Sequence, residues 1–507
     1  MSSAPPPADV SGNDWTSLAV EPPETFRPTL PVSVVVTYYE APEALELTLA
    51  ALEGQDYPRE MFEVVIVDDG SHPPLKAPTD SPLSIRVVHQ EDMGFGLARA
   101  RNTGARAASN PILVFLDCDM MPEAGWLAQH ARWHHAANDA LTLGFRAHVE
   151  VDGIDAGAVR ARAGSLAELF ADRPSDRPAW IEYHMTRTRE LTSDDDDLFR
   201  VVTGGNLGIS RSFFESVGGY DETFTQWGAE DTEFGYRVYT MGGLLVPVRD
   251  ALCWHQGAGA APSENESVSL KLQQAKISQL IAHHSFRETA PGRSFTVPQH
   301  VVTVQAGKAS DQMSTAEQVL ANGVHDLVVW IAEPDDPKAV QESDRERIRR
   351  LLAGDPRVRF GPSDGASSAI PVASFHISIP AGSTVKSTAV ARLRRELGVS
   401  AQASIELPGG RRAEIVRTRA LNRAARSGIS LHEHTTSTPT RRRSARSSAV
   451  GKLGRVLAHM AREAIRIRTL RDARDLTVWF LSWAARAAGW RIRRVARWLY
   501  WKSRRTR

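Results

Sequence analysis

The sequence has 507 residues, enough for two or three domains, and its hydrophobic (42%) and charged (24%) content is that of an ordinary globular protein. The net charge of +1 is unevenly distributed. Residues 441–507 carry 20 Lys or Arg and 3 Asp or Glu, whereas the preceding 440 residues have a net charge of −16. Two cysteines exclude a disulfide framework, and no apolar run reaches the ~18 residues that a membrane-spanning helix needs.

The first elements of the chain predict a parallel α/β sheet. Residues 1–30 contain six prolines and little periodicity, which predicts a mostly disordered leader. Apolar, largely β-branched runs then predict strands at 32–37, 62–67, 85–88 and 112–116. Helical spacing predicts helices at 42–54 and 96–108. Strands that alternate with helices imply a parallel sheet, and ligands of such sheets bind at the carboxyl ends of the strands.

The second half of the chain repeats this pattern. Two further strands are predicted at 244–248 and 251–254, and from residue 296 the pattern restarts, with strands at 301–304, 326–332 and 358–360. The second copy has Glu-Pro-Asp-Asp where the first has Asp-Asp-Gly-Ser. Its apolar run at 375–380 leads into Ala-Gly, with no Asp-x-Asp. We therefore predict a catalytic domain over 31–292 and a degenerate copy over 296–430 that serves as a structural or docking partner.

The basic C-terminal segment predicts a surface-binding tail. Residues 434–449 have linker composition, and residues 450–507 combine helical spacing with Trp and Arg side chains. This mixture favours an anionic membrane surface over a partner helix, a solvated tail or, least of all, a nucleic acid. Because residues 1–10 also show no signal-peptide pattern, we expect a cytoplasmic protein bound peripherally to the inner face of the cell membrane.

A pair of acids follows the fourth predicted strand. Asp117 and Asp119, at i and i+2, can offer two carboxylates to one hard divalent cation, and His255, at the end of a later strand, can add an imidazole. The alternative is that the two acids are loop or cap residues and that the histidine is structural.

A second acidic group lies in the segment that begins at Trp227. Asp231 beside Glu230, in a partly apolar pocket, is suited to act as a general base, and Glu230 can instead accept hydrogen bonds from acceptor hydroxyls. Trp227 offers a flat apolar face to a sugar ring. The alternative is a helix N-terminus, where acids favour the positive end of the dipole. Both interpretations can hold at once.

The ends of the first two strands are suited to hold a nucleotide. Thr37, Tyr39 and Glu40 follow the first strand, and Asp69 follows the second. A carboxylate can accept the imide proton of uracil and a tyrosine ring can stack on the base, whereas the alternative for each is a turn residue. Arg101, on the helix that follows, is either a phosphate ligand or a surface charge.

The order and spacing of these motifs resemble metal-dependent inverting glycosyltransferases of the GT-A fold, above all bacterial chondroitin-polymerase-type enzymes and the β-1,4-galactosyltransferase catalytic segment. The resemblance spans residues 32–290. Its motifs are VIVDDGS (65–71), ARNTG (100–104), FLDCDM (115–120), GGN (204–206), FTQWGAEDTEFGYR (224–237) and WHQ (254–256). The first strand departs from the family pattern, because Thr-Tyr-Tyr-Glu stands where Pro-x-Tyr-Asn is usual.

This resemblance implies a role for each site residue. Asp69 would bind the uracil, and Asp117 and Asp119 would hold the nucleotide and a Mn²⁺ or Mg²⁺ ion whose site His255 completes. Gly204 and Gly205 would line the donor-sugar pocket. Asp231 would deprotonate the acceptor.

The expected activity is therefore inverting transfer of a hexose or N-acetylhexosamine from a UDP-sugar to a glycan or lipid-linked acceptor in cell-surface polysaccharide synthesis. The alternatives are a catalytically weak scaffold and a nucleic-acid-binding protein that uses the basic tail.

Overall fold

The structure of the protein is a computed structural model that describes residues 5–257, 264–287, 293–322, 324, 326–334, 342–428 and 431. The predicted linker (434–449) and basic tail (450–507) lie outside these residues. Within this part of the chain, no helix has the length and apolar character to cross a membrane.

The described residues form two sheets with helices between their strands. Sheet A contains β1 (Val32–Tyr38), β2 (Phe62–Asp68), β3 (Ile85–His89), β4 (Ile112–Asp117), β5 (Met120–Pro122), β6 (Ala140–Val149), β7 (Ser175–Asp176), β8 (Asn206–Ser210) and β9 (Leu244–Gln256). Sheet B contains β10 (His300–Val304), β11 (Leu327–Glu333), β12 (Val358–Pro362), β13 (Phe375–Ile379), β14 (Gln402–Glu406) and β15 (Arg412–Arg417).

The helices of the first sheet are α1 (Pro42–Glu53), α2 (Leu97–Ala107), α3 (Trp126–Ala136), α4 (Ala156–Ala161), α5 (Leu166–Leu169), α6 (Ala179–Thr188), α7 (Arg211–Ser216), α8 (Glu230–Thr240) and α9 (Glu264–Leu280). Those that follow are α10 (Ala309–Leu320), α11 (Glu342–Leu352), α12 (Gly365–Ala369), α13 (Ala389–Leu397) and α14 (Thr418–Ser427).

Parallel pairing in sheet A brings the predicted site residues to one edge. The fully buried β1 lies between β2 and β4, and all three strands run parallel. Thr37 is in register with Asp117, and Tyr38 with Asp68, so the carboxyl ends of these strands meet. The predicted α/β sheet is confirmed, and its four first strands lie within one or two residues of their predicted bounds.

The prediction of two strands at 244–248 and 251–254 is wrong, because these residues form the single strand β9. Arg249 and Asp250 are exposed and interrupt the apolar run, which suggested a break. The register with β6 shifts at this point, between Gly144 and Phe145, so the strand bulges and continues. Its end pairs antiparallel with β5, with Met120 opposite His255.

Sheet B repeats the arrangement of the first four strands. Four neighbouring strands of sheet B lie in the order β12-β11-β10-β13. This order corresponds to β3-β2-β1-β4 in sheet A. All of these pairs are parallel. The predicted restart of the strand pattern therefore corresponds to a second α/β sheet.

The N-terminal segment is packed rather than disordered over its described residues, so the prediction for 1–30 is wrong there. Ala8, Val10, Phe26 and Leu30 are buried against the sheet A core. The prolines indicated disorder, but the apolar residues between them bury enough surface to order the segment.

A buried polar network joins α3 to the strands of sheet A. The rings of His130 and His134 lie 2.8 and 3.1 Å from the hydroxyl of Thr142. His130 also lies 3.0 Å from the Oδ1 atom of Asn206, which accepts a hydrogen bond from the Trp126 indole. Burial lowers the pKa of His130 to about 4 and that of His134 to about 3, so both rings are neutral in the folded protein.

Acid should therefore destabilise the fold through these histidines. The unfolded state binds a proton near the ordinary pKa of 6.5, whereas folded His130 binds one only near pH 4. The stability that the neutral ring contributes is fully present above pH 6.5 and is lost as the pH falls to about 4, on the order of 3 kcal/mol. Urea unfolding across this range should show a weaker pH dependence for His130→Gln than for the wild type. The exposed His72→Gln is the control, and parallel wild-type and His130→Gln curves would contradict the prediction.

Candidate active site

A buried arginine joins the acids of the candidate site. Arg101 lies on α2, and its side chain is 1% exposed. Its Nη2 donates to Asp117 Oδ1 at 3.1 Å, and its Nη1 donates to Asp231 Oδ1 at 2.8 Å and to Glu230 Oε1 at 3.4 Å. The alternative of a surface charge is therefore excluded for Arg101. One guanidinium connects the end of β4 with the start of α8.

The surroundings of Arg101 keep it charged. Burial alone would lower the pKa of the guanidinium, but Asp231 and Asp117 outweigh burial and raise the pKa above its ordinary value. The Tyr220 ring lies 5.2 Å from the guanidinium carbon and adds a cation–π contact.

The two acids of α8 differ in their surroundings. Gly228 and Ala229, both at positive φ (96° and 78°), form the turn after which the helix begins at Glu230. The Glu230 side chain is 4% exposed and that of Asp231 is 24% exposed. Burial and the charge of Asp231 raise the pKa of Glu230 to about 8, although Arg101 opposes the shift. Glu230 is therefore protonated at neutral pH, and both acids lie in a first helical turn while contacting Arg101.

Trp227 lies just before this helix and is 41% exposed. Its carbonyl accepts a hydrogen bond from the Ser269 hydroxyl at 2.9 Å. Part of the ring is therefore open to solvent.

Two glycines allow the acids and the arginine to approach the backbone. These glycines, Gly204 and Gly205, directly precede β8 in the chain. The Gly205 carbonyl accepts a hydrogen bond from the Asp117 amide at 3.2 Å. A Cβ at Gly204 would lie 2.3 Å from the Arg101 guanidinium carbon, and a Cβ at Gly205 would lie 2.1 Å from Asp117 Oδ2. Glycine is therefore required at both positions by close packing.

Two of the three predicted metal ligands, Asp119 and His255, lie next to each other. His255 Nε2 lies 3.4 Å from Asp119 Oδ2, while Asp119 Oδ1 is buried and has no hydrogen-bond partner. Burial raises the pKa of Asp119, although the His255 ring opposes the shift. An unpaired buried carboxylate oxygen beside an imidazole fits a divalent cation.

The full set of predicted metal ligands is not assembled in the described residues, among which no group of three or more His, Cys, Asp or Glu side chains could hold an ion. One oxygen of Asp117, Oδ1, accepts hydrogen bonds from Arg101 and, at 3.2 Å, from the Thr37 hydroxyl.

The predicted nucleotide-binding residues lie at or just after the ends of β1 and β2. The Asp69 carboxylate accepts hydrogen bonds from Gln90, from the Gly96 amide at 3.0 Å and from Arg99 at 3.2 Å. The Tyr39 side chain is half exposed, so its ring is open to a ligand. Glu40, at φ 45°, accepts from the His72 amide at 3.4 Å.

Sequence reasoning missed three residues beside these groups. Tyr220 lies under Arg101, and on β6 the His148 ring lies 4.5 Å from the His255 ring. Arg146, also on β6, has a buried Nε without a hydrogen-bond partner, and its charge opposes the burial that raises the pKa of Asp119. The alternation of Arg146 and His148 with apolar residues was the signal that could have found the two β6 residues.

Comparison with known proteins identifies the first part of the chain. Residues 33–218 match the model of Glycosyl transferase family 2, and residues 196–247 match the model described as N-terminal domain of galactosyltransferase. The chain is 27% identical to a chondroitin synthase of Pasteurella multocida (strain Pm70) over 397 residues, which cover 72% of this chain and 40% of that protein. It is 35% identical to validoxylamine A glucosyltransferase of Streptomyces hygroscopicus subsp. jinggangensis (strain 5008) over 235 residues, which cover 43% and 54%.

A solved structure, mannosyltransferase PcManGT from Pyrobaculum calidifontis in complex with GDP-Man and Mn²⁺, is 21% identical, with a TM-score of 0.33 and coverage of 55% of this chain and 70% of that one. The chain spans only about half or less of the two curated relatives. The family match, the order of the strands and the position of the acids at the strand ends agree. Residues 33–218 are therefore a glycosyl transferase family 2 domain of the GT-A fold, homologous to chondroitin synthase.

Proposed function

We propose that the chain is an inverting, metal-dependent glycosyltransferase that moves a hexose or N-acetylhexosamine from a UDP-sugar to a glycan or lipid-linked acceptor in cell-surface polysaccharide synthesis. The observation that carries this proposal is the Arg101 guanidinium, which contacts both Asp117 and Asp231. It brings the proposed donor side of the site next to the proposed base. The relatives named above support a sugar donor.

In this proposal Asp231 is the general base. Its carboxylate is partly exposed, so an acceptor hydroxyl can reach it, whereas Glu230 is buried and protonated at neutral pH. As Asp231 takes the hydroxyl proton, the acceptor oxygen attacks the anomeric carbon of the donor sugar. The bond to the UDP oxygen breaks on the opposite face, so UDP leaves and the anomeric configuration inverts. Trp227 offers its exposed ring to the acceptor sugar.

The nucleotide would lie over the ends of β1 and β2. The exposed Tyr39 ring would stack on the base, and Thr37, Glu40 and Asp69 would line its surroundings. Asp119 and His255, with Asp117, would hold a Mn²⁺ or Mg²⁺ ion, which when bound would neutralise charge on the diphosphate. Gly204 and Gly205 would face the donor sugar.

The basic segment 450–507 would bind an anionic membrane surface and place the enzyme on the inner face of the cell membrane. Flotation of the intact chain with vesicles of phosphatidylglycerol, against vesicles of phosphatidylcholine, tests this part. Equal binding to both, or preferential binding to an oligonucleotide, would contradict it.

The activity is tested by UDP release from a panel of UDP-sugars with Mn²⁺ and oligosaccharide acceptors, with GDP-mannose as the control donor. We expect turnover with one or two UDP-sugars, loss of turnover in EDTA, recovery on adding excess Mn²⁺, and a product of inverted configuration by NMR. Turnover that EDTA leaves unchanged would contradict metal dependence. A product of retained configuration would contradict the role of Asp231.

Replacing Gly205 with alanine should weaken donor binding. The added methyl group would meet Asp117, whose carboxylate is fixed by Arg101 and Thr37 and cannot withdraw. We expect the Kd for UDP to rise at least tenfold, about 1.4 kcal/mol, as measured by calorimetry. Gly164→Ala is the matched control, because a Cβ there meets nothing within 4 Å. Equal UDP affinity of the two variants would count against a donor site at Asp117.

A further inference from the structure

Helix α14, which follows the last strand of sheet B, lies across the C-terminal end of α8. This is informative because α8 carries Glu230 and Asp231 in its first turn. The last carbonyl groups of any helix have no partner within the helix and need donors from elsewhere. Here the donors come from the second sheet region, which lacks a counterpart of the acids.

The carbonyl oxygens of five consecutive residues, 239–243, each accept a hydrogen bond from a side chain of α14. Arg419 donates to the carbonyl of Tyr239 and, at 2.8 Å, to that of Gly243. Asn422 donates to the Thr240 carbonyl at 3.0 Å. Arg426 donates to the Met241 carbonyl at 2.8 Å, and Arg423 donates to the Gly242 carbonyl at 3.1 Å. Three of the four donors are cations, which the negative end of a helix dipole favours.

Of these arginines, Arg423 is buried and Arg419 and Arg426 are partly buried. Burial lowers the pKa of Arg419 to about 10 and also lowers the pKa values of Arg423 and Arg426, yet all three stay charged at neutral pH. The Arg419 guanidinium lies 4.0 Å from the centre of the Tyr239 ring. Arg423 is 1% exposed and pairs with the buried Asp139, which directly precedes β6. A buried guanidinium needs such partners to offset its lost hydration.

Other contacts hold α8 to the same region. The Tyr236 hydroxyl, in the C-terminal half of α8, donates to the Val372 carbonyl at 2.6 Å. Asn422 also donates to the Pro371 carbonyl at 3.1 Å, so one side chain joins α8 to the segment before β13. At its other end, α8 is held by Arg101. The helix is thus fixed at both ends, by α2 and by α14.

We propose that α14 is a positioning element for the reaction: Arg419, Asn422, Arg423 and Arg426 hold α8 where its first turn places Asp231 against Arg101. This rests on the proposed function of Asp231. The second sheet region then takes part in the reaction through α8 and without a site of its own. The 11 residues of α8 form one continuous helix, which links the contacts at its C-terminal end to the first turn.

The test uses the intact chain with Arg419→Met and Arg426→Met combined. Methionine keeps the apolar contact of the stem and removes the donors. Arg423 is left in place, because its loss would leave Asp139 buried and unpaired. The matched control is Arg392→Met, an exposed arginine on α13. The readouts are hydrogen exchange of the Glu233 and Phe234 amides, and kcat and KM for the UDP-sugar, all well below the melting temperature.

We expect amide exchange at Glu233 and Phe234 to become at least tenfold faster in the double variant, and kcat to fall at least tenfold while the KM for the UDP-sugar changes less than threefold. The control should match the wild type. Faster exchange confined to residues 239–243, with an unchanged kcat, would overturn the proposal even if the melting temperature fell. If the wild type shows no turnover, the proposed function fails, and the exchange at Glu233 and Phe234 still decides whether α14 positions the first turn.

Discussion

Asp231→Asn should lower kcat for sugar transfer by about a thousandfold, with little change in the KM for the UDP-sugar. Asparagine keeps the shape of the side chain and can still accept the hydrogen bond that Arg101 donates at 2.8 Å, but it cannot take a proton from the acceptor. Initial rates of UDP release at several UDP-sugar concentrations, with the acceptor saturating, measure both constants.

Glu230→Gln is the matched control for this substitution. Because the pKa of Glu230 is raised to about 8, the side chain is already neutral at pH 7, and a neutral amide replaces it closely. We expect kcat at pH 7 to fall less than tenfold. The reverse result, in which Glu230→Gln is inactive and Asp231→Asn is active, would move the role of base to Glu230 and contradict the proposed mechanism.

The strands of this fold were predictable because burial on both faces leaves a local signal. The runs 34–36 and 64–67 are continuous and apolar, as expected of parallel strands covered by helices, and β1 is fully buried. The two errors in the described chain have a common origin. Arg249 and Asp250 on the bulge of β9, and the prolines of the N-terminal segment, are local signals that tertiary pairing and packing override.

The candidate site was predictable only in part. The sequence placed acids at strand ends and at a helix start, since both positions follow from element boundaries. It did not show that Arg101 selects Asp117 and Asp231 as partners, 16 and 130 residues away, because such pairing depends on how the elements pack. For the same reason, the sequence did not show that one carboxylate oxygen of Asp117 accepts a hydrogen bond from Arg101.

Arg101→Met should destabilise the fold by about 3–5 kcal/mol and abolish transfer, because it leaves the Glu230, Asp231 and Asp117 carboxyl groups without their shared cation. Arg106→Met on the same helix is the control. Arg106 is 63% exposed and pairs with an exposed Glu222, so its loss should cost no more than about 1 kcal/mol. Urea unfolding at pH 7 compares the two, and similar midpoints would contradict the central role of Arg101.

A double variant separates lost pairing from lost packing. If Arg101→Met destabilises mainly by leaving carboxylates unpaired, adding Asp231→Asn removes one of those charges and should recover part of the stability, with a coupling on the order of 1–3 kcal/mol. If the loss came from packing against Tyr220 instead, the second substitution would recover nothing and the two effects would add. A coupling of the expected sign would show that Arg101 stabilises the fold by pairing with the acids that the chemistry needs. An apolar side chain at this position could pack, but it could not join β4 to α8.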